Sequence, residues 1–319
     1  MMWSKIKESL QLRERSVTDE TLKLLLLENM GKNDIDRRDV KVTSNVKFRA
    51  SGLGGLCARK YALALIMGGT LDGKAIDAKT SWIFGIGTAF HYQFQNGYLR
   101  SLGNDVLKGH WRCKNCGKIY RGKETTDPSI NLTHGWITAP KSCECEGTDF
   151  EYYELEFNHE IGGHCDGIID VGFGDEILEL KTINSLAYVD PSLGGNAKIE
   201  HVKQVQLYMY FSGLKRARIV YVEKGENDFK KAIVEHIVLF DQSIVDEIFE
   251  QVINVQSLLA TIALEESYDP EQTFENTAKS MRTIPVELIN LLPPRCAECT
   301  SKNDFKVKYC SRKKECFTL

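Results

Sequence analysis

The chain has 319 residues, enough for one large domain or two modest ones, and its 42% hydrophobic content is ordinary for a folded protein with a sizeable core. With 41 Lys and Arg against 44 Asp and Glu, the formal net charge is −3. The molecule as a whole is therefore no basic nucleic-acid binder, and any nucleic-acid track has to be local.

The opening stretch MMWSKIKESLQLRERS lacks the apolar run of a signal peptide. The apolar run Leu24 to Leu27, like every other in the sequence, is far too short to span a bilayer. A cytosolic protein with no membrane role is expected, in a bacterial or phage-infected host cell. In that compartment ten cysteines point to metal binding rather than to disulfides.

Residues 1–50 read as a helical lead-in, with Leu22, Leu25, Leu26 and Met30 spaced for one helix face after a possible N-cap at Thr18. A glycine-rich turn from Ser51 leads into CARKYALALIMG, a predicted helix, and WIFGIGTAFHYQFQNGYL from Trp82 is a second. Residues 109–150 change character, with four cysteines among Gly, Pro, Thr and Asp, and are expected to form an inserted metal-stapled module. After it, YYELEFNHEI, DGIIDVGF and EILELKTI are three predicted strands of an antiparallel meander, separated by GGHC and GFGDE as tight turns. Helical character over residues 200–213, strands at 217–223 and 232–240, and a long helix over 241–268 complete the pattern. The expected fold is α/β: a mixed central sheet flanked by helices, made from residues 51–108 and 151–319 and interrupted by the module.

Within GHCDGIIDVGFGDEILELK, Glu179 and Lys181 are two apart on a predicted strand and leave it on one face, with Leu178 and Leu180 on the other. If the strand starting at Asp166 pairs back across the Gly172 to Asp175 turn, Asp166 approaches Glu179, and two carboxylates converge beside an ammonium. That trio suits phosphodiester hydrolysis with a hard cation such as Mg²⁺ or Mn²⁺, the lysine acting on the attacking water or on charge developing at the phosphate. Asp170, an even step from Asp166, is the reserve carboxylate, and His164 shares its parity. Cys165 should point to the opposite, buried side.

Cys113 and Cys116 form a CKNCG knuckle, and Cys143 with Cys145 a tighter pair; four thiolates suit tetrahedral Zn²⁺, with His134 as an alternative ligand. A module this small gains folding free energy from zinc, while Lys114, Lys118, Arg121 and Lys123 leave a DNA contact open. Cys296, Cys299, Cys310 and Cys316, beside KVKYCSRKKECF, read locally as a second zinc site.

Taken in order, these features resemble the RecB-like branch of the PD-(D/E)XK nucleases, over residues 50–240 and the C-terminal cysteines. The motifs are GTAFH, with His91; GHCD, with Asp166; ELK, with Glu179 and Lys181; and QVQLY. The resemblance implies a restriction-endonuclease-like core in which His91, Asp166, Glu179 and the Leu180 backbone carbonyl hold the metal. Asp166, Glu179 and Lys181 form the catalytic trio, and Gln204 and Tyr208, four apart on a helix, meet substrate. Gln206 and Tyr210 fit the same spacing.

The resemblance also implies a [4Fe–4S] cluster on Cys57, Cys299, Cys310 and Cys316, with Cys296 as alternate. It further implies a single-stranded DNA exonuclease of recombination, repair or replication. A non-catalytic DNA-binding or assembly module and a site-specific endonuclease are the competing readings. No phosphate-binding GxxxxGK[ST] loop occurs, so a helicase or other recombination or replication partner would be a separate chain.

Overall fold

The computed structural model describes residues 47–67, 78–124, 134–157, 161–266, 284–295, 299 and 316. The helix expected around Leu22 to Met30 lies outside them. The described chain opens with β1 (Phe48–Arg49), which runs into α1 (Ala50–Leu53), followed by α2 (Ala58–Ile66). Helix α3 (Ala78–Gln93) continues through a π-helical turn at Phe94–Tyr98 into Leu99–Ser101.

Eight strands follow: β2 (Leu107–Cys113), β3 (Ile119–Tyr120), β4 (Ile137–Thr138), β5 (Phe150–Tyr153), β6 (Leu155–Phe157), β7 (Ile161–Cys165), β8 (Gly167–Ile169) and β9 (Glu176–Ile183). Then come α4 (Ile199–Ser212), β10 (Arg216–Glu223), β11 (Ile233–Leu239), α5 (Gln242–Leu264) and α6 (Val286–Asn290). No described helix is long and apolar enough to cross a membrane.

Local chemistry accounts for the main boundaries. Helix α5 starts where the Asp241 carboxylate accepts the Ser243 N–H at 2.9 Å, and it buries Val245, Ile248, Val252, Val255, Leu259 and Ile262 at helical spacing. Helix α4 stops at Gly213, whose φ of 75° is a left-handed cap. Between β8 and β9 the Asp170 carboxylate accepts the N–H groups of Gly172 and Gly174 at 2.9 and 3.2 Å.

Eight strands form the main sheet, ordered β11–β10–β9–β8–β2–β3, with β4 and β5 also paired to β2; a small sheet has the order β1–β7–β6. The β9–β10 and β1–β7 pairs are parallel and the others antiparallel, so the architecture is mixed α/β, with helices on its flanks. One hydrophobic cluster joins α2, α4 and α5 to Ile177, Ile219 and Tyr221; a second joins Phe94, Trp111 and Phe150 to Leu178, Leu180 and Val220.

Two expectations change. The GGHC segment was expected as a tight turn, yet Gly162–Cys165 lies inside β7, and the chain has already reversed between Phe157 and Ile161. The glycine serves packing there: a Cβ on Gly163 would sit 2.8 Å from Tyr208 Cε1 and 3.2 Å from Ala50 Cβ. The module boundary expected at residue 109 falls within β2, which pairs with β8 at Leu107 and Lys108 and with β5 from His110 to Cys113. The described residues of 109–150 therefore share a strand and a core with the main sheet.

Candidate active site

Asp166 is the single residue between β7, which belongs to the small sheet, and β8, which belongs to the large one. Because β8 begins only at Gly167, opposite Leu178, β9 loses its backbone partner on that side from Glu179 onward. The Asp166 side chain replaces it: Oδ2 accepts the Leu180 N–H at 2.7 Å, while Oδ1 lies 2.9 Å from His91 Nδ1 on α3. Four residues on, in the π-helical turn that continues α3, Gln95 donates Nε2–H to the Asp166 carbonyl at 2.8 Å. Asp166 is thus held at both its side chain and its main chain.

Glu179 and Lys181 project beside it from β9. Lys181 Nζ lies 2.5 Å from Glu179 Oε1 and donates to Gln204 Oε1 at 3.1 Å. Gln204 passes the chain on, its Nε2 donating to the Tyr208 hydroxyl at 2.9 Å, and that hydroxyl donates to the His164 carbonyl at 2.8 Å. Gly163, the glycine of GHCD, leaves the space in which Tyr208 lies, so α4 and β7 meet through two of the sequence motifs.

Burial sets the electrostatics. Glu179 is 2% exposed, and its second oxygen, Oε2, has no hydrogen-bond partner. Burial lifts its pKa from 4.5 to about 7 against the pull of Lys181, with the Asp166 charge adding to the rise. Burial also works against the charged form of Lys181, but Glu179 and Asp166 outweigh it and the lysine stays an ammonium. At His91 burial is likewise outweighed, by the Asp166 charge and hydrogen bond, so the imidazole protonates more readily than usual.

Among the described residues, only Cys113, Cys116, Cys143 and Cys145 gather their ligand atoms within 4.8 Å of one another; the His91, Asp166 and Glu179 donors are set more widely. In this state Glu179 Oε1 is turned to Lys181 and His91 to Asp166. The unpartnered Glu179 Oε2 still suits a hard cation, since a buried carboxylate oxygen without a donor is otherwise costly.

The thiol cluster is compact. Cys113 and Cys145 Sγ atoms are 3.7 Å apart, and those of Cys116 and Cys143 3.5 Å. A tetrahedral ion with 2.3 Å bonds to sulfur has edges of about 3.8 Å, so the spacing fits one metal ion. Tyr120 donates its hydroxyl proton to Cys143 Sγ at 3.1 Å and Asn115 its amide to Cys145 Sγ at 3.4 Å, both of which favour thiolate.

The remaining candidates separate. Gln206 bonds the Leu239 carbonyl and the Asp241 N–H, and Tyr210 packs on Phe249, so the alternative Gln–Tyr register is not the one facing Lys181. Asp170 is committed to its turn, four residues and roughly 13 Å of strand from Asp166. His134 faces His110 instead of the thiols, and Cys165 is fully buried in the core. His164 pairs with Glu154 at 3.0 Å. Cys57, Cys299 and Cys316 are half-buried, whereas Cys296 and Cys310 lie outside the described residues. Gln95 escaped the sequence reading, although its i+4 spacing from His91 placed it on the same helix face.

No protein-family model matches the chain, and no curated protein matches it. Solved structures do. An alkaline exonuclease from Laribacter hongkongensis is 14% identical over 72% of this chain and 93% of its own, with a TM-score of 0.38. The same exonuclease in complex with dAMP is similar at a TM-score of 0.36, 14% identity and the same coverage, 72% and 93%. A phage-related exonuclease from Haemophilus somnus 129PT is 15% identical over 68% of this chain and 95% of its own, at 0.31. These neighbours are exonucleases. The overlap is partial.

Proposed function

We infer that the protein is a metal-dependent nuclease that hydrolyses DNA phosphodiester bonds, with Asp166, Glu179 and Lys181 at its centre. The observation that carries this reading is the unpartnered oxygen of buried Glu179, set beside a second buried carboxylate and an ammonium. His91, Asp166, Glu179 and the Leu180 carbonyl would hold Mg²⁺ or Mn²⁺, which supplies the Lewis acidity that polarises a phosphodiester.

The chain's own residues do the rest. Lys181, whose ammonium form is favoured by its two carboxylate neighbours, donates hydrogen bonds to the attacking water or to charge gathering on the phosphate. Gln204 and Tyr208 fix the direction of that ammonium by tying it to the β7 backbone, and Gln95 fixes the Asp166 backbone. The resemblance to the iron-sulfur members of the RecB-like nucleases implies a single-stranded DNA exonuclease of recombination, repair or replication.

The reading extends to the cysteines. Cys113, Cys116, Cys143 and Cys145 would hold Zn²⁺. Cys57, Cys299, Cys310 and Cys316, with Cys296 as alternate, would hold a [4Fe–4S] cluster. Supporting the second assignment, Arg59 Nη1 donates to the Pro293 carbonyl at 2.6 Å, which ties the residues beside Cys57 to the segment leading into Cys296. A folded Cys57→Ser protein is then expected to lose iron and its visible absorption while keeping zinc; unchanged iron content removes Cys57 from the ligand set.

The deciding experiment is digestion of end-labelled single- and double-stranded oligonucleotides in Mg²⁺ or Mn²⁺, with EDTA and Lys181→Ala controls. Cleavage should vanish in both controls while the variant keeps its fold and its DNA affinity. Digestion by Lys181→Ala at the wild-type rate would exclude this mechanism, and discrete fragments from a closed circle would turn the reading toward an endonuclease.

A further inference from the structure

A cleft of about 340 Å³ opens beside His91, between the α3 wall and the β5–β7 wall. Its volume lies within the roughly 300–1,000 Å³ of small-molecule sites. Two tyrosine rings line it from opposite walls, Tyr92 on α3, 48% exposed, and Tyr153 on β5, 39% exposed. Large aromatic rings left in water beside a polar cleft are surfaces on which a flat partner stacks.

The charge of the cleft decides what that partner is. Glu154 and Glu156 line it together with His164, which lies 3.0 Å from the first and 3.9 Å from the second, and no lysine or arginine is among the described residues that line it. A phosphate finds no lysine or arginine on the lining to hold it, whereas a neutral heterocycle can offer its N–H groups to the carboxylate oxygens. Arg112 lies over the Tyr153 ring, 5.9 Å from its centroid, and is itself ion-paired with Glu151, so the ring is braced by a charge that does not line the cleft. Asn96 is occupied too, accepting the Tyr152 N–H at 2.7 Å and donating to the Tyr92 carbonyl at 3.2 Å, which fixes the two walls to each other.

We propose that this cleft is the subsite for an unpaired nucleobase of the strand whose phosphate lies at Asp166 and Glu179, the base stacking on Tyr92 and Tyr153. The proposal rests on the nuclease reading for where the backbone lies. His91 links the two places, lining the cleft and bonding Asp166. A base in a duplex has its edge occupied by its partner and its faces by its neighbours, so only an unpaired one fits, and the cleft selects single strands at the point of cutting.

The test is fluorescence-anisotropy titration of labelled single-stranded oligonucleotides with Ca²⁺ in place of Mg²⁺, each carrying one abasic position at a successive distance from the end. Wild-type protein is expected to lose roughly five- to a hundredfold in affinity when one particular base is missing. The Tyr92→Ala, Tyr153→Ala double variant should bind the intact strand as weakly as that and be blind to the missing base. The corresponding double Phe variant should behave as wild type, because stacking needs the ring and not the hydroxyl. Indifference of the wild type to every abasic position, or wild-type affinity in the alanine variant, overturns the subsite. Wild-type protein that binds with this base dependence but cuts nothing in Mg²⁺ or Mn²⁺ would uphold the subsite and remove the nuclease reading instead.

Discussion

At the scale of single residues, Glu179 is where the fold gives up stability. Its pKa rises from 4.5 to about 7 because burial disfavours the carboxylate more than Lys181 favours it. At 1.36 kcal/mol per unit this corresponds to a penalty on the order of 3 kcal/mol in the metal-free protein. The sign follows from linkage: between about pH 4.5 and 7 the unfolded chain has released the proton that the folded one keeps, so stability falls as pH rises through that window. The penalty is complete above pH 7 and absent below 4.5. Glu179→Gln keeps the shape and removes the charge. The variant should therefore melt higher than wild type in EDTA at pH 8, with the difference fading toward pH 5, and should have lost both cleavage and the Tm increase caused by Mg²⁺ or Mn²⁺. A lower melting temperature at pH 8 would mean that the Lys181 pairing outweighs the burial.

At the scale of elements, the site depends on how closely α4 approaches β7. A Cβ on Gly163 would press on the Tyr208 ring at 2.8 Å, and Tyr208 is the link between Gln204 and the β7 backbone. Gly163→Ala should then cost about 1–3 kcal/mol of stability, as overpacking does, and slow cleavage further because Lys181 loses its fixed direction. Chemical denaturation and single-turnover rates on the same preparation check both halves. What the sequence made legible follows from the same contact. Alternation placed Glu179 and Lys181 on one face of β9, and helical spacing placed Gln204 with Tyr208. The glycine of GHCD read as a turn because a lone sequence carries a glycine's conformational freedom but not the ring that will need its space. Gln95 was hidden for a related reason: its partner is a main-chain carbonyl, which leaves no mark in the side-chain pattern. Gln95 itself lies in the π-helical turn Phe94–Tyr98.

At the scale of the whole molecule, the thiol cluster and the main sheet are expected to behave as one body, because β2 belongs to both. Cys113 ends the strand whose first residues pair with β8, and Cys113, Cys143 and Trp111 pack in the same core as Leu178 and Leu180, the residues on either side of Glu179. If the four thiols hold Zn²⁺ as proposed, losing it should therefore loosen β9 as well as the loops that carry the cysteines. Cys116 is the ligand to change, since it is exposed and its replacement leaves the core packing intact. Cys116→Ser should lower zinc content and, more tellingly, move a single calorimetric transition of the whole protein downward, with cleavage falling at temperatures the wild type tolerates. Hydrogen exchange should show faster opening at Leu178 and Leu180, two strands away from the lost ligand. If the module were an independent insertion, the variant would instead gain a separate low-temperature transition, the main one would stay in place, and exchange in β9 would be unchanged. The shared strand argues for the first outcome: a β2 frayed at its thiol end has lost the core that holds its other end against β8, beside Asp166.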